Sequence, residues 1–226
     1  MKPTHRPRKF GTVGIACALL FATGCATLKK CAYEGYGRDE SQQPERVVEA
    51  LDIAPGDRVA DLGSGSGYFT FRLADAVGAN GTVYAVDVDP DMTEMVRAAA
   101  RERGVKNVEI VLASPDDPKL AAGTIDLVFT SNTYHHIEDR VSYFARLQRA
   151  LSPKGRVAIL DYGEDANWFA RWFGHNTPSG TVESEMKQAG YRIVAAPDFL
   201  SEQTFHVFAP AKPAAGTGPQ AAAPPS

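Results

Sequence analysis

The stretch "DLGSGSGYFT", residues 61–70, sets how the rest of the chain is read. It follows the short apolar run "DRVA" (57–60), and in it Gly63, Gly65 and Gly67 alternate with Ser64 and Ser66. Glycine lets a backbone turn tightly and lets a ligand approach it closely. A glycine loop that leaves a β-rich run and enters a helix-spaced segment, here "YFTFRLADAVG" (68–78), marks the binding crossover of a doubly wound sheet. The spacing is G-x-G-x-G, whereas a dinucleotide fingerprint reads G-x-G-x-x-G. Asp61 stands directly before the loop. A carboxylate there is a poor neighbour for a pyrophosphate and a good one for an ammonium or sulfonium. The loop therefore favours a cationic nucleoside over a phosphate-bearing one.

Outward from the loop, apolar runs and helical segments alternate. "PERVVEALDI" (44–53) is an amphipathic helix ahead of the turn "APGD". After the loop come the strand "GTVYAVDVD", the helix "PDMTEMVRAAARERG", the strands "VEIVLAS" and "IDLVFTSNT", and the helix "RVSYFARLQRAL". "SPKG" (152–155) is expected to turn the chain into a fifth strand, "RVAILDY". Near-continuous apolar strands separated by helices indicate a parallel sheet covered on both faces. At the end, the helix "TVESEMKQAG" is followed by "YRIVAAPDFL" and "QTFHVFAP", two runs with no helix between them. These are expected to pair antiparallel. The fold class is thus α/β, a Rossmann-like doubly wound seven-stranded sheet, mostly parallel, with an antiparallel C-terminal hairpin whose last strand inserts between the fifth and the sixth.

A second acid supports the nucleoside reading. Asp87 ends the second strand, where a carboxylate accepts hydrogen bonds from ribose hydroxyls. Asp89 precedes Pro90 and suits a helix cap instead. With these residues in place, "VADLGSGSGYFT", "VYAVDVDPDM", "IDLVFTSNTYHHIED" and "SPKGRVAILDY" resemble the successive motifs of class I S-adenosylmethionine-dependent methyltransferases. The resemblance spans about residues 41–208. It implies that Asp61 and the loop Gly63, Ser64, Gly65 and Gly67 hold the methionine end of S-adenosylmethionine. It also implies that Asp87 holds the ribose, and that Asn132 adds a contact after the fourth strand. Where that family places an acid beside the adenine amine, this chain has Ser114, with Asp116 two residues on.

The acceptor side is less specific. In "NTYHHIED", His135 or His136 could take a proton from the attacking atom, since a histidine titrates near neutral pH. Such a pair at a strand-to-helix junction equally caps and packs. His135 is the preferred base, and Glu138 and Asp139 suit the start of a helix. In "GEDANWFARWFGHNTP" (163–178), Trp168, Phe169, Trp172 and Phe173 are interleaved with Arg171 and His175. The stretch reads either as a lid over an apolar acceptor or as a packing helix. No metal ligand set is expected.

The ends of the chain differ from its middle. Residues 1–24 hold Lys2, Arg6, Arg8 and Lys9, no acid, and the short apolar run "FGTVGIACALLFAT" before Gly24 and Cys25. That is the pattern of a secretory signal peptide, and Ala22–Cys25 resembles a bacterial lipobox, which implies lipidation at Cys25. Without those four basic residues the formal charge falls from −3 to −7. An acidic chain of this kind argues against nucleic acid as a partner. The expected layout is signal peptide 1–24, tether 25–40, methyltransferase domain 41–209 and a disordered Ala/Pro-rich tail 210–226. The product would be a lipid-anchored protein on the periplasmic side of a bacterial cell envelope. Two functions are open: methyl transfer from S-adenosylmethionine to a small molecule, or non-catalytic binding of that nucleoside on an exported lipoprotein. A nicotinamide oxidoreductase is disfavoured by Asp61 and by the glycine spacing.

Overall fold

The computed structural model describes residues 38–164 and 176–211. The signal-type segment, Cys25, most of the expected tether, the aromatic residues Trp168 to Phe173 with His175, and the tail from 212 lie outside the described residues.

Seven strands form one sheet in the order β3-β2-β1-β4-β5-β7-β6. They are β1 (Arg58–Leu62), β2 (Thr82–Asp87), β3 (Val108–Leu112), β4 (Ile125–Ser131), β5 (Leu151–Tyr162), β6 (Tyr191–Ala195) and β7 (Gln203–Pro210). Strands β1 to β5 run parallel to one another, and β7 runs antiparallel to both β5 and β6. The expected sheet and its inserted last strand are therefore both present. The helices are α1 (Arg38–Gln42), α2 (Pro44–Ala50), α3 (Thr70–Val77), α4 (Pro90–Arg103), α5 (Arg140–Leu147) and α6 (Ser179–Gln188). Helix α1 begins inside the stretch read as tether, and β7 runs one residue into the stretch read as tail.

Period-2 alternation sorts the strand residues onto two cores. Val59, Val83, Leu127, Phe129, Ala158 and Leu160 face Val47 and Leu51 from the α2 region and Leu73 and Val77 of α3. Ala60, Val128, Val157 and Ile159 face Phe144 and Leu147 of α5 and Val182 and Met186 of α6. Val96 and Ala100 of α4 pack on Ala85 and Phe71. Both faces are thus covered, which is why the central strands tolerate so few polar residues.

Helix starts follow the local chemistry. Asp89 caps α4, its Oδ1 accepting from the Asp91 backbone N–H at 2.8 Å, and Pro90 follows in the first turn. Asp139 does the same for α5 through the Ser142 N–H at 3.3 Å. One expectation is corrected. Ser152–Gly155 do not form a turn ahead of β5. They lie within it as a bulge, where the register against β4 jumps from Ile125–Leu151 to Leu127–Arg156. Side chains hold the bulge in place: Lys154 Nζ lies 2.7 Å from Asp57 Oδ1, and the Ser152 hydroxyl donates to Asp126 at 2.8 Å. A "PKG" tripeptide reads as a turn by composition, and only the partner strand shows that the chain stays in the sheet.

Candidate functional site

At the carboxyl end of β1 the chain must reverse before α3. Gly63, Gly65 and Gly67 do this at φ +76, +52 and +90°. A side chain at Gly63 would also run into Thr133, which follows β4. The loop is fixed from the next strand: the Gly63 and Ser64 N–H groups donate to the Val86 carbonyl at 2.8 and 3.1 Å. The Gly65 N–H donates to Asp87 Oδ2 at 2.8 Å. Asp87 Oδ1 accepts from the Asp89 N–H at 2.9 Å. Each Asp87 oxygen thus has one backbone donor and a lone pair to spare, at the mouth of the loop.

That mouth opens on a cavity of about 290 Å³. It is lined by Gly63, Asp87, Val88, Ser114, Asp116 and His136, among others. Val88 is 54 % exposed, an apolar wall facing the opening. Ser114 is tied by its backbone to Asp117 in both directions, at 3.0 and 3.1 Å. The loop after β3 therefore presents Ser114 and the acid Asp116 to the same space. A carboxylate, apolar walls and a glycine turn in one cleft form a site for an uncharged sugar joined to a flat apolar group.

Asp61 lies in β1, just before the loop. It is fully buried and accepts from the Thr70 hydroxyl at 2.6 Å. Burial pushes its carboxyl up to about 7, and the charge of Asp87 adds to the rise. The Thr70 hydrogen bond and the Arg38 guanidinium act in the opposite direction. Among the described residues, the Ser64 and Ser131 hydroxyls and Gln203 Oε1, at the same edge of the sheet, are buried without a hydrogen-bond partner. Unsatisfied polar atoms are rare in native interiors. Here they converge at the strand ends, where a polar ligand would meet them. The conjugate charges suit a cation at Asp61 and a hydroxylated sugar at Asp87, so the residues fit the nucleoside expected from the sequence.

Asn132 adopts φ +52° just after β4, its N–H donating to the Leu160 carbonyl at 2.8 Å. Its Oδ1 accepts from Gln203 Nε2 at 2.7 Å. Gln203 opens β7, which runs antiparallel and so starts at the functional edge. Sequence reading missed it, because only the sheet order brings residue 203 beside residue 132.

The two histidines sit in the short 3₁₀ turn Tyr134–His136 and take different places. His136 is exposed and lines the cavity with Asp87 and Ser114. His135 turns toward the end of β5, where its Nδ1–H donates to Asp161 Oδ1 at 2.7 Å and its backbone N–H to Oδ2 at 3.0 Å. The Tyr162 N–H is a third donor to this buried carboxylate, at 3.0 Å. The His135 side chain is 5 % exposed and that of Asp161 not at all. An acceptor-only carboxylate on Nδ1 fixes the tautomer, so Nε2 is the basic nitrogen of this ring. Asp161 was not singled out from the sequence. The available signal was an acid closing the buried strand "RVAILDY".

Comparison with known proteins agrees with the fold. A family profile described as a methyltransferase domain matches residues 53–202. The aklanonic acid methyltransferase DauC of Streptomyces sp. (strain C5) is 34% identical over 114 residues, 50% of this chain and 52% of that protein. The nocamycin O-methyltransferase of Saccharothrix syringae is 34% identical over 114 residues, 50% of this chain and 41% of that one. The chain thus spans about half the length of the curated relatives it matches. A crystal structure of a SAM-dependent methyltransferase from Aquifex aeolicus superposes with a TM-score of 0.74 at 24% identity. That match covers 81% of this chain and 96% of the other, and it speaks for the fold.

Proposed function

The chain belongs to the methyltransferase-domain family, and on that premise we propose that it transfers the methyl group of S-adenosylmethionine to a small-molecule acceptor at the carboxyl ends of β1, β4 and β5. One observation carries the reading: Asp87, Gly63 of the glycine loop and Ser114 line a single cavity, and the buried acid Asp61 lies near the end of β1, just before that loop. The names of relatives that methylate aklanonic acid and nocamycin support a small acceptor.

In this reading Asp87 takes the ribose hydroxyls, Val88 and the 113–116 segment flank the adenine, and Asp61 faces the amino-acid end. The bound sulfonium supplies an electrophilic methyl group. The protein's own task is then to align an acceptor and exclude water, which accounts for much of a displacement rate. His135, held by Asp161, takes the acceptor's proton on Nε2, and Asn132 and Gln203, hydrogen-bonded across the end of β5, wall the site beside it.

Calorimetry of the full chain against S-adenosylmethionine and its demethylated product tests binding. A panel of phenols, amines, thiols and carboxylates then tests transfer. Asp87→Ala should weaken cofactor binding by about 1.5 to 3 kcal/mol, the scale of hydrogen bonds to a charged group. Binding without transfer to any acceptor would favour the non-catalytic module, and no binding would sink both readings.

Supported by the basic and apolar pattern of residues 1–24, the domain is further proposed to be exported behind a lipidated Cys25. A fatty-acid analogue fed to cells should label wild type and not Cys25→Ser.

A further inference from the structure

The amino-acid end of S-adenosylmethionine is a zwitterion, with an ammonium and a carboxylate on one carbon. A site for it needs an anion and a cation side by side, because either charge taken from water alone is costly to bury. Asp61 is the anion. Arg38 is the cation stacked on Tyr68, two residues before Thr70, whose hydroxyl holds Asp61.

Helix α1 is built to keep Arg38 over the loop. The guanidinium carbon lies 3.7 Å from the centroid of the Tyr68 ring, within cation–π range. Its Nε donates to Gln42 Oε1 at 3.0 Å. Tyr68 directly follows Gly67, so the platform is part of the glycine segment itself. The tyrosine hydroxyl in turn donates to Asp39 of α1. Arg72 also lies over the Tyr68 ring, 4.5 Å from its centroid. It donates to the Tyr68 carbonyl at 2.8 Å and pairs with Asp39 and Glu45, each at 3.4 Å. Burial works against the Arg38 charge, as it works against that of Asp61, so both groups gain from a ligand bearing the opposite charges.

Resting on the reading of the cavity as a S-adenosylmethionine site, we propose that Arg38 receives the carboxylate of the cofactor's amino-acid end while Asp61 receives its ammonium. Helix α1 is then part of the binding site, though it lies before every motif of the sheet. A planar guanidinium stacked on an aromatic ring is preorganised for a carboxylate, and lysine does not reproduce that arrangement.

The test compares three ligands on the full chain by calorimetry: S-adenosylmethionine, S-adenosylhomocysteine and 5′-methylthioadenosine, which lacks the amino-acid end. In Arg38→Ala the first two should bind about 10- to 100-fold more weakly, the cost of a lost charge-assisted pair. Methylthioadenosine should bind as it does to wild type, which also shows that the variant is folded. Unchanged affinity for all three ligands would overturn the assignment to Arg38 and leave the cofactor site standing. An equal loss for all three would make Arg38 a structural residue and overturn it too. If wild type binds none of them, the functional reading fails and this inference fails with it.

Discussion

Asp61 accepts a hydrogen bond from the Thr70 hydroxyl and is buried from solvent, and burial pushes its carboxyl up to about 7. In the unfolded chain the same group titrates near 4. Between these values the native state holds a proton that the unfolded state has lost. The contribution of Asp61 to stability is therefore largest below about pH 4 and declines as pH rises toward 7, by at most about 1.4 kcal/mol per pH unit. Asp61→Asn carries no such proton. Urea unfolding should show the variant gaining on wild type from about pH 5 to 7, with a constant gap above that. A gap independent of pH would mean that Asp61 is ionised throughout. At His135 the prediction concerns rate. His135→Ala should lower methyl transfer by roughly 100- to 10,000-fold, the range for a general base. Cofactor affinity measured alongside should hold, since the ring turns to Asp161 and not into the cavity. Full activity in the variant would leave catalysis to proximity alone.

The turn that carries both histidines is held by neighbouring helices. The Tyr134 hydroxyl donates to Glu185 Oε2 of α6 at 2.7 Å, and Arg140 of α5 grips the same carboxylate with two nitrogens at 2.7 and 2.8 Å. The pair is about three-quarters buried, and Tyr134 is wholly so. Arg140 holds the Glu185 carboxyl below its ordinary pKa. Glu185→Ala leaves the buried Tyr134 hydroxyl without its acceptor and takes the carboxylate from the largely buried Arg140 guanidinium, which should cost about 1 to 3 kcal/mol in urea unfolding. The acceptor reaction should suffer more than cofactor binding, because the turn bears His135 whereas Asp87 and the glycine loop are anchored on β1 and β2. Equal losses in both would place the network's effect on the whole domain. At the same scale, the bulge at 152–155 lets β5 stay paired with β4 while the "SPKG" segment bends outward.

For the whole molecule, ligand and fold are linked through the glycine loop. A ligand present at 100 times its dissociation constant raises stability by about 2.7 kcal/mol, provided it binds only the folded state. S-adenosylmethionine should therefore raise the melting temperature of wild type. Gly65→Val should abolish that rise. A β-branched residue at φ +52° is strained, and the strain falls on the residue whose N–H holds Asp87. A variant that melts lower but still gains the full increment from ligand would show that Gly65 serves the turn and not the ligand.

Much of this was legible in the sequence because it depends on local periodicity. Seven apolar runs, their order and the antiparallel ending follow from run length and from the missing helix between the last two. Asp61, Asp87 and the glycines could be named because motifs attached to strand ends keep their spacing along the chain. Asp89 and Asp139 could be read as caps because a cap acts within three residues. Four features needed the tertiary structure: the "SPKG" bulge, the His135–Asp161 pair, the meeting of Asn132 with Gln203, and the placing of Arg38 over Tyr68. Each joins residues 26 to 71 positions apart or depends on a partner strand's register. A side chain's role in such a contact is set by what the fold brings to it, and that information lies in the packing of elements and not in the spacing within any one of them.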